Sequence, residues 1–392
     1  MSQLKVLTLN CWGVPAPVAC QLRMERMTAI GDRLKRGDYD LVVLQEVWDK
    51  GDFKILLDRV SEVFTYNHYF YSGAIGSGVC VFSKYSIRET FYYRFSLNGY
   101  AHKVLHGDWF GGKGVGMCIL KFGDFRLGLF CTHLHAEYNE VNDEYLAHRV
   151  SQAFEMSQLI KLTATKHLCD FVITAGDFNL QPTDLGYKIL RENAQLRDAW
   201  LELNDENDAG KTCDIPSNYF TKPSMLQMFP NGKRLDYILV RNNEGTSVEV
   251  VSCQVTMGKI PGHPYNYSDH EGVGATLVIS KSNNAPRYDQ DPSHLNPLLS
   301  EAESLIERGM TKVSSNSQFY TILAVMSVCL LYMVSSIDIP SWLGLVRGML
   351  LVALTLLFGF CIWNKAILSR IETHGLMATK QDIKNLLQSQ KS

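Results

Sequence analysis

Near the end of this 392-residue chain two apolar stretches, 319–337 and 343–363, follow each other across a short turn. The first holds no charged residue, and the second holds only Arg347, near its start. A helix over the first spans roughly 28 Å, close to the ~30 Å hydrocarbon thickness of a bilayer. Two uncharged runs of this length are rare in soluble folds, so both stretches are expected to be transmembrane helices, turned at Asp338 and Pro340. A hairpin leaves both flanks on one side. Arg308 and Lys312 precede it, and Lys365, Arg370, Lys380, Lys384 and Lys391 follow it. The positive-inside rule then predicts that the region before the hairpin and the tail, 364–392, are cytosolic. Within the tail, Ile383, Leu386 and Leu387 outline a short amphipathic stripe. Residues 281–318 are rich in Ser, Asn, Pro and charge and read as a linker.

That leaves 1–280 as the soluble part. The start of the chain runs directly into a strand-like segment with no signal-peptide pattern. The ten cysteines form no Cys-x-x-Cys pair, which suits a reducing, cytosol-facing environment. A net charge of −2 gives no basic footprint, so a nucleic-acid partner is not expected. Short β runs alternate with helical stripes. Strands are predicted over 4–10, 40–45, 79–83, 125–132, 171–175, 235–240 and 273–279. Helices are predicted around Met24–Leu34, Phe53–Val60 and Leu146–Ile160.

Several of these strands end in residues that chemistry can use: Asn10; Gln45-Glu46; Thr132-His133-Leu134-His135; Gly176-Asp177-Phe178-Asn179. Two further clusters follow, Arg234-Leu235-Asp236-Tyr237 and Ser268-Asp269-His270. Strand ends that share one rim are where a sheet gathers side chains from distant positions. Carboxylates with an amide and no thiolate set favour a hard cation such as Mg²⁺. Two histidines can divide the work on a phosphate, one steadying its oxygens and the other taking a proton from water. A second Asp can fix that base in one tautomer. The chain has neither a phosphate-binding Gly-x-x-x-x-Gly-Lys-Ser/Thr loop nor a Gly-x-Ser-x-Gly elbow, which argues against nucleotide-driven transfer and serine esterase chemistry.

In this order the six clusters resemble the signature of the endonuclease/exonuclease/phosphatase superfamily. That resemblance implies an α/β, deoxyribonuclease I-like four-layer sandwich of two packed sheets flanked by helices, over 1–280. Asn98-Gly99-Tyr100, His106-Gly107-Asp108-Trp109-Phe110, Gly112-Lys113, Thr132 to Asn139 and Tyr145-Leu146-Ala147-His148-Arg149 are similar to neutral sphingomyelinases with two C-terminal spans. The likeness implies Mg²⁺-dependent, phospholipase C-type hydrolysis of sphingomyelin to ceramide and phosphocholine. Carried over residue by residue, it makes Glu46 the principal metal ligand, with Asn10 and Asp269 on the metal side. His270 becomes the general base, oriented by Asp236. His133, Asp177 and Asn179 hold the phosphate and the attacking water, and Lys113 joins the substrate-binding set. His135 has no family role and is expected to be structural. The resemblance also implies residence in the endoplasmic reticulum or nuclear envelope. Rival expectations are a phospholipase C acting on lyso-phospholipids or inositol phosphosphingolipids, and a membrane-attached nuclease. Trp109 and Phe110, and the segment 220–229, are expected either to dip into the interface or to cap the core. Oligomeric state is not readable from the sequence.

Overall fold

In the first strand, β1 (Ser2–Asn10), the side chains alternate between two apolar environments. Leu4 and Val6 enter one buried cluster, while Leu7 and Leu9 enter another. A strand apolar on both faces needs a layer on each side. The run Leu41-Val42-Val43-Leu44 of β2 (Leu41–Gln45) behaves the same way, with Leu41 and Val43 facing one cluster and Val42 and Leu44 the other. The computed structural model of the chain describes residues 2–15, 20–204, 210–282, 292–338 and 340–389. It divides into two units, residues 1–298 and 299–392.

The first unit is built on two six-stranded sheets. Its further strands are β3 (Tyr66–Tyr69), β4 (Cys80–Ser83), β5 (Ile87–Arg94), β6 (Gly114–Phe122), β7 (Phe125–His133), β8 (Phe171–Asp177), β9 (Arg197–Asp198), β10 (Asp236–Asn242), β11 (Thr246–Thr256) and β12 (Gly272–Lys281). One sheet has the order β11-β12-β1-β2-β4-β3 and the other β5-β6-β7-β8-β10-β9. Leu4, Val6, Leu41, Val43, Leu127, Leu129, Ile173, Ala175, Ile238, Val240 and Leu277 fill the space between them. Helices α1 (Arg23–Leu34) and α2 (Lys50–Val60) cover the first sheet through Met27, Ile30, Leu56 and Val60. Over the second sheet lie α4 (Leu146–Thr163) and α5 (Leu185–Ala194), through Met156, Ile160, Tyr187 and Leu190. Short helices α3 (Asp108–Gly111) and α6 (Pro223–Met228) stand in loops. This is the expected four-layer α/β sandwich.

The second unit is helical. Helix α7 runs unbroken over Pro292–Ser336, α8 over Gly344–Trp363, and a π turn at Asn364–Leu368 leads into α9 (Ser369–Ser389). Two helical segments, Ser293–Ser336 and Ser341–Ser389, are long and apolar enough to cross a membrane, with mean hydropathies of 1.9 and 2.3 over their most apolar windows. The expected linker, 281–318, is described in part. Residues 283–291 lie outside the described residues, and from Pro292 the chain is helical. Its polar composition hid a stripe of Leu299, Ala302 and Ile306, buried at helical spacing. The tail stripe belongs to the much longer α9, whose Lys380 and Lys384 pair with Glu307 and Glu303 of α7 at 2.7 and 3.4 Å. Arg347 donates to the carbonyls of Ser335 and Ile337, which α7 leaves unpaired at its end.

Candidate active site

Strand register brings the polar residues together. His133 ends β7 opposite Asp177 at the end of the parallel β8, and Asp177 lies opposite Asp236 at the start of the antiparallel β10. Three adjacent strands thus present three functional groups in a row. Gly176 makes this pairing possible, because a Cβ there would lie 2.1 Å from the Thr132 carbonyl oxygen. On the other sheet Asn10 ends β1 opposite Gln45 at the end of β2, with Glu46 next. Asn10 Nδ2 joins the two sheets, donating to Asp177 Oδ2 at 2.9 Å and to Glu46 Oε1 at 3.0 Å. Its Oδ1 accepts from the Trp12 N–H at 2.9 Å. The amide therefore turns its nitrogen toward the carboxylates, aligning them instead of offering its oxygen as a ligand.

Two site residues hold left-handed backbone, Glu46 at φ 57° and Asn179 at φ 47°. Asn tolerates this conformation, whereas for Glu it stores strain of about 1 kcal/mol or more. Asn179 Nδ2 donates to the Leu134 carbonyl at 3.0 Å, and its N–H bonds Asp177 Oδ1 at 2.9 Å. Burial, and then Asp269 nearby, push the Glu46 carboxyl up to about 7. Burial, and then Asp236, lift Asp177 to about 6, and burial raises Asp269 too. One donor atom each from Asp177, Asp236 and His270 also lie within 4.8 Å of one another. Carboxylates that repel one another in this way fit a divalent cation, and their oxygens favour a hard one.

His270 Nδ1 lies 2.8 Å from Asp236 Oδ2. Burial works against a charged ring, yet the Cys213 sulfur and the Asp236 carboxylate raise His270 well above the usual histidine range. The Cys213 thiol is hydrogen-bonded to the same ring, and burial pushes that thiol up to about 11. His133 has the opposite bias: burial, and then Lys113, hold it well below the ordinary value and keep it neutral. Lys113, also buried, is fully engaged. It pairs with Asp108 at 2.5 Å, donates to the Leu134 carbonyl at 2.8 Å, and meets His133 Nε2 at 3.1 Å. His133 Nε2 lies between the Lys113 ammonium and Asp177 Oδ2, which is 3.5 Å away. Lys113 is thus a support for His133 before it is a contact for substrate.

The site therefore unites Asn10, Glu46, Lys113, His133, Asp177, Asn179, Asp236, Asp269 and His270. His135 stands behind it, stacked on Tyr145 at 4.0 Å, with Nε2 3.8 Å from Asp108 Oδ2. Sequence reasoning gave no role to Asp108, Cys213 or Arg26. Asp108 stood inside a quoted glycine-flanked cluster, which was a usable signal. Nothing marked Arg26, although it is fully buried and donates to the carbonyls of Cys11, Trp12, Gln21 and Tyr267. That one guanidinium ties the loop after Asn10 to the loop before Asp269. Trp109 and Phe110 are only partly exposed, and the Phe110 carbonyl accepts from Ala74 and Ile75.

The sequence matches the Endonuclease/Exonuclease/phosphatase family over residues 7–270. A putative neutral sphingomyelinase of Caenorhabditis elegans is 38% identical over 98% of this chain and 91% of its own. Sphingomyelin phosphodiesterase 2 of Homo sapiens is 40% identical over 79% of this chain and 74% of its own. Among solved structures, beta toxin from Staphylococcus aureus with bound magnesium ions superposes at a TM-score of 0.50. It is 20% identical and covers 70% of this chain and 99% of that one, a likeness of fold. The two sheets, the row of groups across β7, β8 and β10, and these relatives agree: the chain belongs to the endonuclease/exonuclease/phosphatase family and, within it, to the neutral sphingomyelinases.

Proposed function

We propose that the chain hydrolyses sphingomyelin in phospholipase C fashion, releasing phosphocholine and leaving ceramide in the bilayer. The observation that carries this reading is the opposition of two unlike histidines across one row of carboxylates. Asp236 holds His270 Nδ1 at 2.8 Å and so fixes the ring's orientation, while burial and then Lys113 keep His133 neutral. Kinship with named sphingomyelinases supports the substrate. His270 takes the proton of the attacking water, and Asp236 stabilises the imidazolium that forms. Asn179 and Asp177 orient that water and the phosphate. Lys113 and His133 act as a joined unit beside the phosphate oxygens, the ammonium supplying charge and the ring a neutral N–H. Glu46 and Asp269 are the carboxylates best suited to hold Mg²⁺, with Asn10 aligning Glu46. When bound, Mg²⁺ supplies Lewis-acid stabilisation of the phosphate and the leaving oxygen.

The two apolar helices are proposed as a membrane hairpin with 319–337 and 343–363 as its spans. Residues 1–280 form the catalytic domain, 281–318 connect it, and 364–392 form a tail on the same, cytosolic, face. An endoplasmic reticulum or nuclear envelope location is part of the same proposal. The experiment is phosphocholine release from sphingomyelin in mixed micelles by purified full-length protein, with Mg²⁺ or with chelator. His270→Ala is expected to lose at least ~10³-fold in rate while still binding the micelle. Parallel arms with lyso-phospholipid, an inositol phosphosphingolipid and DNA reassign the substrate if one of them is cut and sphingomyelin is not.

A further inference from the structure

The loops at the catalytic end of the first unit also hold its two most exposed large apolar side chains among the described residues, Leu105 and Val141, with Val104 next to Leu105. Leu105 is 99% exposed, Val141 90% and Val104 63%. Leu105 lies at the centre of a 3-10 turn, Val104–His106. Val141 sits on an Asx turn, where Asn139 Oδ1 accepts from the N–H groups of Val141 and Asn142 at 3.0 Å. Both tips rise from one packed base. The His106 ring stacks on Tyr138 with 3.8 Å between centroids and 9° between planes, and His106 Nδ1 meets the Tyr145 hydroxyl at 2.7 Å. The Tyr138 hydroxyl in turn bonds Asp108 Oδ2 at 2.5 Å, and Asp108 holds the lysine that supports His133. The base of the tips is thus continuous with the site.

A single exposed apolar side chain is ordinary. Three on adjoining tips, held by stacked aromatic rings, form a surface shaped for burial elsewhere. Charge indicates what covers it. Every carboxylate of the Val141 loop is paired: Glu137 and Asp143 with Arg149, Glu140 with Lys233, and Glu144 with Lys103. No unpaired anion stands there to recruit a basic partner or to oppose entry into an interface. The same chain carries two helices long and apolar enough to cross a membrane, so a lipid surface is the partner already at hand. Trp109 and Phe110 are only partly exposed and are not part of the tips.

We propose that Val104, Leu105 and Val141 form an apolar prong that enters the headgroup–acyl boundary of the substrate bilayer and seats the site mouth on the lipid. The proposal rests on the lipid-hydrolase reading above. It is tested with full-length protein in proteoliposomes, comparing bilayer sphingomyelin with a short-chain sphingomyelin kept below its micelle concentration. The combined Val104→Ser, Leu105→Ser and Val141→Ser variant is expected to lose roughly tenfold on the bilayer substrate and to match the unaltered protein on the monomeric one. Leu105→Trp alone is expected to keep or raise the bilayer rate. Equal rates on both substrates overturn the prong and leave the tips to a protein partner. An equal fall on both also overturns it, because the loops then act through the site itself. If the unaltered protein cuts neither substrate, the lipid-hydrolase reading fails first and the prong falls with it.

Discussion

Glu46 is held against its own preferences. Its backbone is left-handed, its carboxyl is largely withdrawn from solvent, and Asp269 adds a like charge. Each feature costs stability, and each suits a residue retained for a cation. The folded-state value of about 7 lies above the ordinary 4.5. Without metal, the stability associated with this group is therefore full below ~pH 4.5 and is lost as pH rises through 7. Glu46→Gln removes that loss. In chelator at pH 8 it is expected to stabilise the protein by about 2 kcal/mol, a rise of several degrees in melting temperature. Added Mg²⁺ should raise the melting temperature of the unaltered protein and leave Glu46→Gln unmoved. Below pH 7, protons compete for the same oxygens, so Mg²⁺ affinity should weaken by roughly tenfold per pH unit. Thermal unfolding across pH 6–8 with graded Mg²⁺ checks all three. A Glu46→Gln protein that still responds to Mg²⁺ removes Glu46 from the metal set.

At the scale of elements, the catalytic row depends on how β7, β8 and β10 align. The sequence shows β7 and β8 ending in polar residues and a further polar cluster at Asp236, and the structure places His133, Asp177 and Asp236 side by side. Those ends were legible because a central strand reads as an apolar run that stops abruptly. Less legible were β5, whose residues Ile87–Arg94 are mostly half-buried or exposed at a sheet edge, and β6, where Gly114 and Gly116 dilute the apolar signal. The pairing of Lys113 with Asp108 was hidden for another reason. It is made between a short loop helix and a strand start, and no spacing rule encodes such a contact. Gly176→Ala tests the alignment itself. A methyl group 2.1 Å from the Thr132 oxygen forces β7 and β8 apart where His133 faces Asp177. The variant is expected to lose about 1–3 kcal/mol in denaturant unfolding and a larger share of its turnover than that instability explains. Full activity in the folded fraction would separate the register from the chemistry.

The whole molecule joins a hydrolase fold to two apolar helices, and the charge pattern around those helices predicts a topology. An even number of crossings returns the chain to the side it left. On that side stand Lys365 and Arg370, with Lys380 and Lys384 in ion pairs that fasten α9 to α7. At the far turn the one cation, Arg347, is spent on the carbonyls of Ser335 and Ile337 and so is masked as a local signal. Cytosolic placement of both ends is what that asymmetry predicts. Such a tether would confine the site to the surface that holds its substrate and raise effective concentration without any new contact. In sealed microsomes, epitopes at both termini are expected to be open to added protease, while a glycosylation acceptor placed at 338–342 is modified in the lumen. Protection of a terminus would place that end in the lumen, and an unmodified acceptor with both termini open would leave α7 and α8 lying along the membrane or packed together on its surface. The catalytic unit would then reach lipid only by binding, and its rate on vesicles should fall steeply on dilution, whereas a spanning anchor keeps it independent of vesicle concentration.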